Sequence, residues 1–292
     1  MFFIHLYIFL IGICVGSFLN VVIDRIPKNQ KLVNSRSICP HCKKKLSYKD
    51  LMPLFSFLFL KGKCRYCKKS IDRTLPVVEL LTGGVFVAVM IGLFEGSTGV
   101  LWYVERVYYL VIFSVLITVF FMDLKYRIID SKVILVGVVA WVLYTLVAKF
   151  LTLYANYINL QGDLLGKYLI KAGFVNTLFY REVKDVLINL ASALLLFLFF
   201  YFLVIVTKGR GMGGGDVKFS FLMGLVLGFP RVIPGFFISF LTGALTGIIL
   251  ILIRKKTVRE TVPFGPFLVF GTVAGLVIGE RLVTWYLKIL RI

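Results

Sequence analysis

The sequence predicts an all-α polytopic integral membrane protein of about eight transmembrane helices. It also predicts a small zinc-knuckle loop domain on the cytoplasmic side, between helices 1 and 2. Three observations carry this reading. Of 292 residues, 59% are hydrophobic and 16% charged, with mean hydropathy +0.93. Soluble domains sit at about 45–50% apolar and about 25% charged, and only lipid solvates this much apolar surface. A compact soluble fold, collagen, a disordered tail and a coiled coil are thereby set aside. Apolar runs of bilayer length recur along the chain, and two CxxC pairs fall between the first two of them.

The first run, Phe2–Ile23, exceeds the roughly 20 residues a spanning helix needs. No basic region precedes it, and Arg25, Lys28 and Lys31 follow it. That is the reverse of a cleaved signal peptide, so the helix is retained with its N-terminus outside. Residues 25–75 contain 14 Lys or Arg against two acids, Asp50 and Asp72. Nucleic-acid binding is one reading of such a stretch. In a membrane protein the favoured reading is a cytoplasmic loop lying on anionic lipid, so membrane lipid is an expected partner and nucleic acid is not.

Seven more apolar runs follow: Leu75–Phe94, Val107–Met122, Val133–Leu153, Val186–Val206, Phe219–Phe229, Ile233–Ile253 and Phe264–Ile278. Phe219–Phe229 is short and needs the glycines before it to reach across. With the N-terminus outside, the inside connections carry Lys125 and Arg127, then Lys208 and Arg210, then Arg254, Lys255, Lys256 and Arg259. The connection 95–106 holds one Arg and two Glu outside, and 230–232 one Arg. This asymmetry agrees with a single orientation. Only 154–185 departs from it, with Lys167, Lys171, Arg181 and Lys184 on the outer side, where an amphipathic surface helix is expected. The domain organisation predicted is helix 1 over 1–24, a cysteine-rich loop over 25–75 and a membrane core over 76–292.

Five cysteines are present. Cys14, inside the first run, reads as a buried small hydrophobe. Cys39, Cys42, Cys64 and Cys67 form two CxxC knuckles whose four thiolates suit a tetrahedral, closed and therefore structural zinc site. In a cytoplasmic loop metal binding is favoured over disulfides, although two disulfides remain the alternative if the orientation is reversed. His41, inside the first knuckle, reads as a bystander.

Acids at the membrane mark function by default, because burying their charge is costly. Asp123 ends the third run at its cytoplasmic end, and Asp216 follows Gly211-Met212-Gly213-Gly214-Gly215 at the same face. Two carboxylates held at one depth can share a proton and activate water, one as base and the other as acid. Such a pair hydrolyses an amide with no protein nucleophile. The glycines read as positions of close backbone approach, not as a phosphate loop, because the Walker spacing is missing. Supporting candidates are Asp130, which could instead cap the next helix, Glu79, Gly213, Gly214, Gly215 and Lys218. Asp24 reads as an interfacial cap or ion pair, and Ser17 and Asn20 as polar glue between helices.

Gly211-Met212-Gly213-Gly214-Gly215-Asp216-Val217-Lys218 resembles the GxGD signature of the type IV prepilin peptidases, integral-membrane aspartic proteases. Further segments resemble the same family in order: Gly16–Arg25, the two knuckles, Arg73-Thr-Leu-Pro76-Val-Val-Glu79, and Pro263-Phe264-Gly265-Pro266-Phe267. The resemblance implies cleavage of the short basic leader of type IV prepilin or pseudopilin precursors, at the cytoplasmic face of a prokaryotic inner membrane. It further implies N-methylation of the new N-terminal residue with S-adenosylmethionine, in type IV pilus or type II secretion systems. By motif, Asp123 and Asp216 map to the catalytic aspartates, and the four cysteines to the domain associated with methyl transfer. The family often places a Pro before the acid where Ile128-Ile129-Asp130 stands, which leaves Asp130 as the alternative first acid. Two other classes compete: a transporter relaying ions or protons through its acids, and a zinc module merely tethered by the spans.

Overall fold

The computed structural model describes residues 2–32, 37–92, 99–209, 212–253 and 262–290. Glu95, Arg210, Gly211, Arg254, Lys255, Lys256 and Arg259 lie outside them. The helices, in order, are α1 (Phe2–Arg25), α2 (Phe55–Phe59), α3 (Thr74–Ile91), α4 (Val100–Tyr126), α5 (Ser131–Gly162), α6 (Leu164–Lys171), α7 (Phe174–Val206), α8 (Gly214–Leu227), α9 (Val232–Leu252) and α10 (Gly265–Ile289). A single 3-10 turn sits at Tyr48–Asp50. Among the described residues there is no strand beyond two isolated antiparallel bridges, Ile38–Lys45 and Lys63–Ser70.

Seven helices, all but α2, α6 and α8, are long and apolar enough to cross a membrane. The remaining apolar run, Phe219–Phe229, forms α8, whose 14 residues span about 21 Å against a hydrocarbon core of about 30 Å. The glycines extend it to Gly214, yet it stays shorter than the bilayer. It can be short because it is a core element rather than a lipid-facing one: Phe219, Ser220, Leu222, Met223 and Leu225 are almost wholly buried.

Helix α4 is the centre of the bundle. Ile112, Leu116, Val119 and Met122 pack into one large core with residues of α5, α7, α8 and α10. A second, smaller core of Leu19, Ile23, Val78 and Ile117 joins α1 and α3 to α4. The α1–α3 contact is set by glycine. A Cβ at Gly16 would stand 2.7 Å from Glu79 Cα, and one at Gly12 2.7 Å from Gly83 Cα. This four-residue spacing lets two helix backbones touch where lipid supplies no hydrophobic drive. Asn20 Nδ2 donates to the Leu75 carbonyl at 3.0 Å and closes the loop-side end of the pair.

Three expectations need correction. Cys14 is exposed, not buried, because α1 turns Gly12 and Gly16 toward α3 and leaves this face to lipid. Glu105 and Arg106 do not lie in an outer connection. They are buried in α4, which begins at Val100, and Arg106 stacks over the Trp102 ring at 5.2 Å. The segment 154–185 is not one surface helix. It contains no proline, so α5 and α7 run on through it to about 48 and 50 Å, with α6 between them. Lys149 of α5 pairs with Glu182 at 2.6 Å and Asp185 at 3.5 Å on α7.

Candidate active site

Asp123 lies in the last turn of α4, and its carboxylate is buried. Its partner comes from the far end of the chain. The Gly265 N–H donates to Asp123 Oδ2 at 2.9 Å, from the first turn of α10, where the helix dipole favours negative charge. A Cβ at Gly265 would stand 2.6 Å from that oxygen, so only glycine admits this approach. Pro266, in the first turn, pre-sets the helix start.

Asp216 is the third residue of α8 and is also buried. Its Oδ2 accepts the Gly213 N–H at 3.2 Å, an acid in the first turn reaching back to the amide before the helix. Gly215 is pressed against Ile129, since a Cβ there would lie 2.9 Å from Ile129 Cβ. That contact docks the start of α8 on the α4–α5 connection. Asp123 in the last turn of α4 and Asp216 in the first turn of α8 are thereby placed at the same end of the bundle. Each is held by a backbone amide at the start of a helix.

The other predicted residues fall around this pair. Asp130 caps α5, its Oδ1 accepting the Lys132 N–H at 2.7 Å. Lys218 Nζ donates to Ser131 Oγ at 2.7 Å on the exposed side of α8. No other group stands near the Cβ position of Gly214. Glu79 belongs to a different place: buried on α3, it accepts the Leu54 N–H at 2.8 Å and a hydrogen bond from Ser17.

Sequence reasoning gave Gly265 no role, although a glycine between Phe264 and Pro266 at a helix start was a readable sign. It also missed a link across one end of the helix bundle. Lys125, two residues beyond Asp123, bridges Asp24 of α1 at 2.8 Å and Asp72 at 3.0 Å. Tyr126 Oη donates to the same Asp24 at 2.8 Å. Burial disfavours the charge on Asp72, but the Thr74 amide and Lys125 outweigh it and hold its carboxyl below the usual carboxylate range.

The four cysteine sulfurs lie within 4.8 Å of one another, and Cys39 and Cys67 are 3.9 Å apart. Tetrahedral zinc–thiolate bonding asks for sulfurs about 3.8 Å apart, so the donor set fits that ion. The two knuckles have the same build. Lys43 and Lys68 donate back to the carbonyls of Cys39 and Cys64, each with positive φ. The Cys42 amide draws the Cys39 thiol down to about 6. The Lys69 amide pulls Cys67 the same way, but burial and the other three sulfurs push it up to about 11. Crowded sulfurs competing for protons are relieved by a cation in their midst.

Bilayer-length helices gathering two buried carboxylates at one end, with a four-cysteine loop beside them, define a polytopic membrane protein with an aspartate-pair site. The chain is similar in part to the type IV leader peptidase family. Residues 110–248, which include both aspartates, match that family, and residues 10–93 match the bacterial peptidase A24 N-terminal domain. It is similar to proteins named prepilin leader peptidase/N-methyltransferase. The one from Bacillus subtilis (strain 168) is 29% identical over 96% of this chain and 97% of the relative. That of Aeromonas hydrophila is 29% identical over 96% and 92%. That of Myxococcus xanthus (strain DK1622) is 40% identical over 46% and 38%. No solved structure matches the chain.

Proposed function

We propose that this protein cleaves the leader of type IV prepilin or pseudopilin precursors at the cytoplasmic face of a prokaryotic inner membrane, and N-methylates the product. Asp123 and Asp216 form the catalytic pair. Like charges held close keep one proton between them. The ionised carboxylate takes a proton from a water as its oxygen attacks the scissile carbonyl, and the protonated one donates to the carbonyl oxygen. Collapse of the tetrahedral intermediate breaks the C–N bond, and the leaving amine takes up a proton. The Gly265 and Gly213 amides orient the two carboxylates and cost nothing to reorganise during the reaction.

The four cysteines hold a structural zinc ion that shapes the loop and supplies no chemistry. S-adenosylmethionine would supply the methyl group, and two cavities lie among the described residues. One, of about 270 Å³, lies between the distal end of α5, α6 and the start of α7, away from the cytoplasm. The other is an apolar groove between α5, α7 and α8. Methyl transfer rests on the family relationship. The transporter alternative finds no support in that relationship.

The single observation behind the peptidase reading is the burial of Asp123 and Asp216 at one shared end of α4 and α8. Its test is prepilin cleavage in membranes by wild type, Asp123→Ala, Asp130→Ala and Asp216→Ala, with expression checked. Cleavage that needs Asp123 and Asp216 but survives loss of Asp130 supports the pair. Dependence on Asp130 in place of Asp123 moves the first acid to the α5 cap. Full activity of both Asp123→Ala and Asp216→Ala overturns the reading.

A further inference from the structure

The cysteine loop does not merely project into water. Leu54, the residue before α2, donates its N–H to Glu79 Oε2 at 2.8 Å. Glu79 stands five residues beyond Thr74, the start of α3, which puts it about 7.5 Å along the helix toward the bilayer centre. The start of α2 is therefore held at a depth where the spanning helix is already leaving the headgroups. Both ends of the loop run into spanning helices, α1 and α3, and the Leu54–Glu79 bond ties its middle to α3 as well.

The surface that α2 turns outward is apolar. Leu58 is 70% and Phe59 84% exposed, with Met52 and Phe55 exposed beside them. Phe55, Leu58 and Phe59 share one helical face by their three- and four-residue spacing. Around them Lys49, Lys61 and Lys63 are exposed, and among the described residues none has a carboxylate within ion-pair distance. Asp50, next to Lys49, is paired with Arg65 at 2.8 Å.

We infer that Met52–Phe59 inserts edge-on into the headgroup boundary of the adjacent leaflet, with Lys49, Lys61 and Lys63 engaging anionic lipid phosphates. The occupant of this face is an anionic bilayer. Apolar side chains rimmed by lysines are the chemistry of an interfacial element, and the depth fixed by Glu79 brings lipid to it without any partner. A second copy would bring the same lysines against these and be repelled. The inference stands apart from the proposed reaction, because it concerns a surface away from the aspartate pair and its test reads no activity.

The test uses the full chain with Phe59→Trp, in nanodiscs of phosphatidylcholine alone or mixed with phosphatidylglycerol, the acyl chains brominated to quench tryptophan. The signal of the wild-type tryptophans is subtracted, and unchanged thermal unfolding certifies the variant. Leu58→Trp, read in the same way, replaces it if Phe59→Trp fails to fold. The added tryptophan is expected to be quenched, and more strongly in the anionic discs. Lys61→Gln and Lys63→Gln should each lower the inserted-to-withdrawn ratio roughly fivefold there, equivalent to about 1 kcal/mol per basic residue at an anionic surface. Emission that stays solvent-like and unquenched in both discs overturns the inference. Quenching seen only after a precursor peptide is added, or only in discs holding two copies, assigns the face to that partner and overturns it equally.

Discussion

The cysteine loop and the α4–α8–α10 bundle are held together by opposite means. Among the described residues of 37–71, the only buried hydrophobic side chains are Cys39 and Cys64. The loop has no apolar core to lose, and its order rests on two knuckles facing each other across four sulfurs. The bundle buries Ile112, Leu116, Val119, Phe219, Leu222, Met223 and Leu268 in one continuous core. It needs no ion to place Asp123 and Asp216. Where the chain leaves the helices, a four-cysteine cluster that would hold a metal ion substitutes for packing that a short segment cannot supply.

The sharpest way to break this contrast is to remove the metal. Chelation, or Cys64→Ser, is expected to abolish amide protection over 37–71 while α4, α8 and α10 stay protected, as hydrogen exchange would show. Structural zinc contributes on the order of 10 kcal/mol to small domains, so this is the largest effect. Equal loss of protection in both regions would mean that the bundle, too, leans on the loop.

The bundle should behave the other way. Asp123→Asn and Asp216→Asn are expected to lower single-turnover cleavage by about 10²–10⁴-fold, with metal content and thermal unfolding unchanged. Gly265→Ala sits between the two regimes. Its Cβ would meet Asp123 Oδ2 and displace the carboxylate, so cleavage should fall by about 10²-fold, the scale of a small misplacement at a reacting centre. Methyl transfer to a pre-cleaved substrate should be unaffected.

Smaller effects test the seam between the regions. Gly16→Val would force α1 from α3 at Glu79 and is expected to cost about 1–3 kcal/mol, as overpacking does, read as a lower unfolding temperature. Asp72→Asn should cost under about 1 kcal/mol, since Asp72 and Lys125 are partly exposed. Its folded carboxyl lies below the ordinary value of 3.8. The stabilisation is therefore present above that value and lost as the pH falls through the folded one. Stability of wild type and Asp72→Asn should converge in acid and separate at neutral pH.

Much of this was legible in the linear chain. Apolar runs located seven long helices, although their ends moved, because a helix without proline continues past the bilayer as α5 and α7 do. The knuckles were legible because two short spacings suffice to place four ligands. Asp216 was legible because its glycines are adjacent to it. Asp130 was ambiguous in the sequence, lying seven residues after Asp123, and the structure puts its side chain on the α5 cap. Lys125 was counted only as a positive charge on the inside face, since its partners Asp24 and Asp72 lie on other elements.

Composition, period and short-range spacing sufficed for an all-helical membrane protein and its four-sulfur cluster, because each depends on residues close in sequence or on sums over them. The surroundings of the aspartates did not follow from such signals. Gly265 lies 142 residues from Asp123, and Gly215 meets Ile129 of the distant α4–α5 connection. Contacts of this kind exist only once α4, α8 and α10 have packed, because close approach is a property of two surfaces and neither stretch of chain specifies the other.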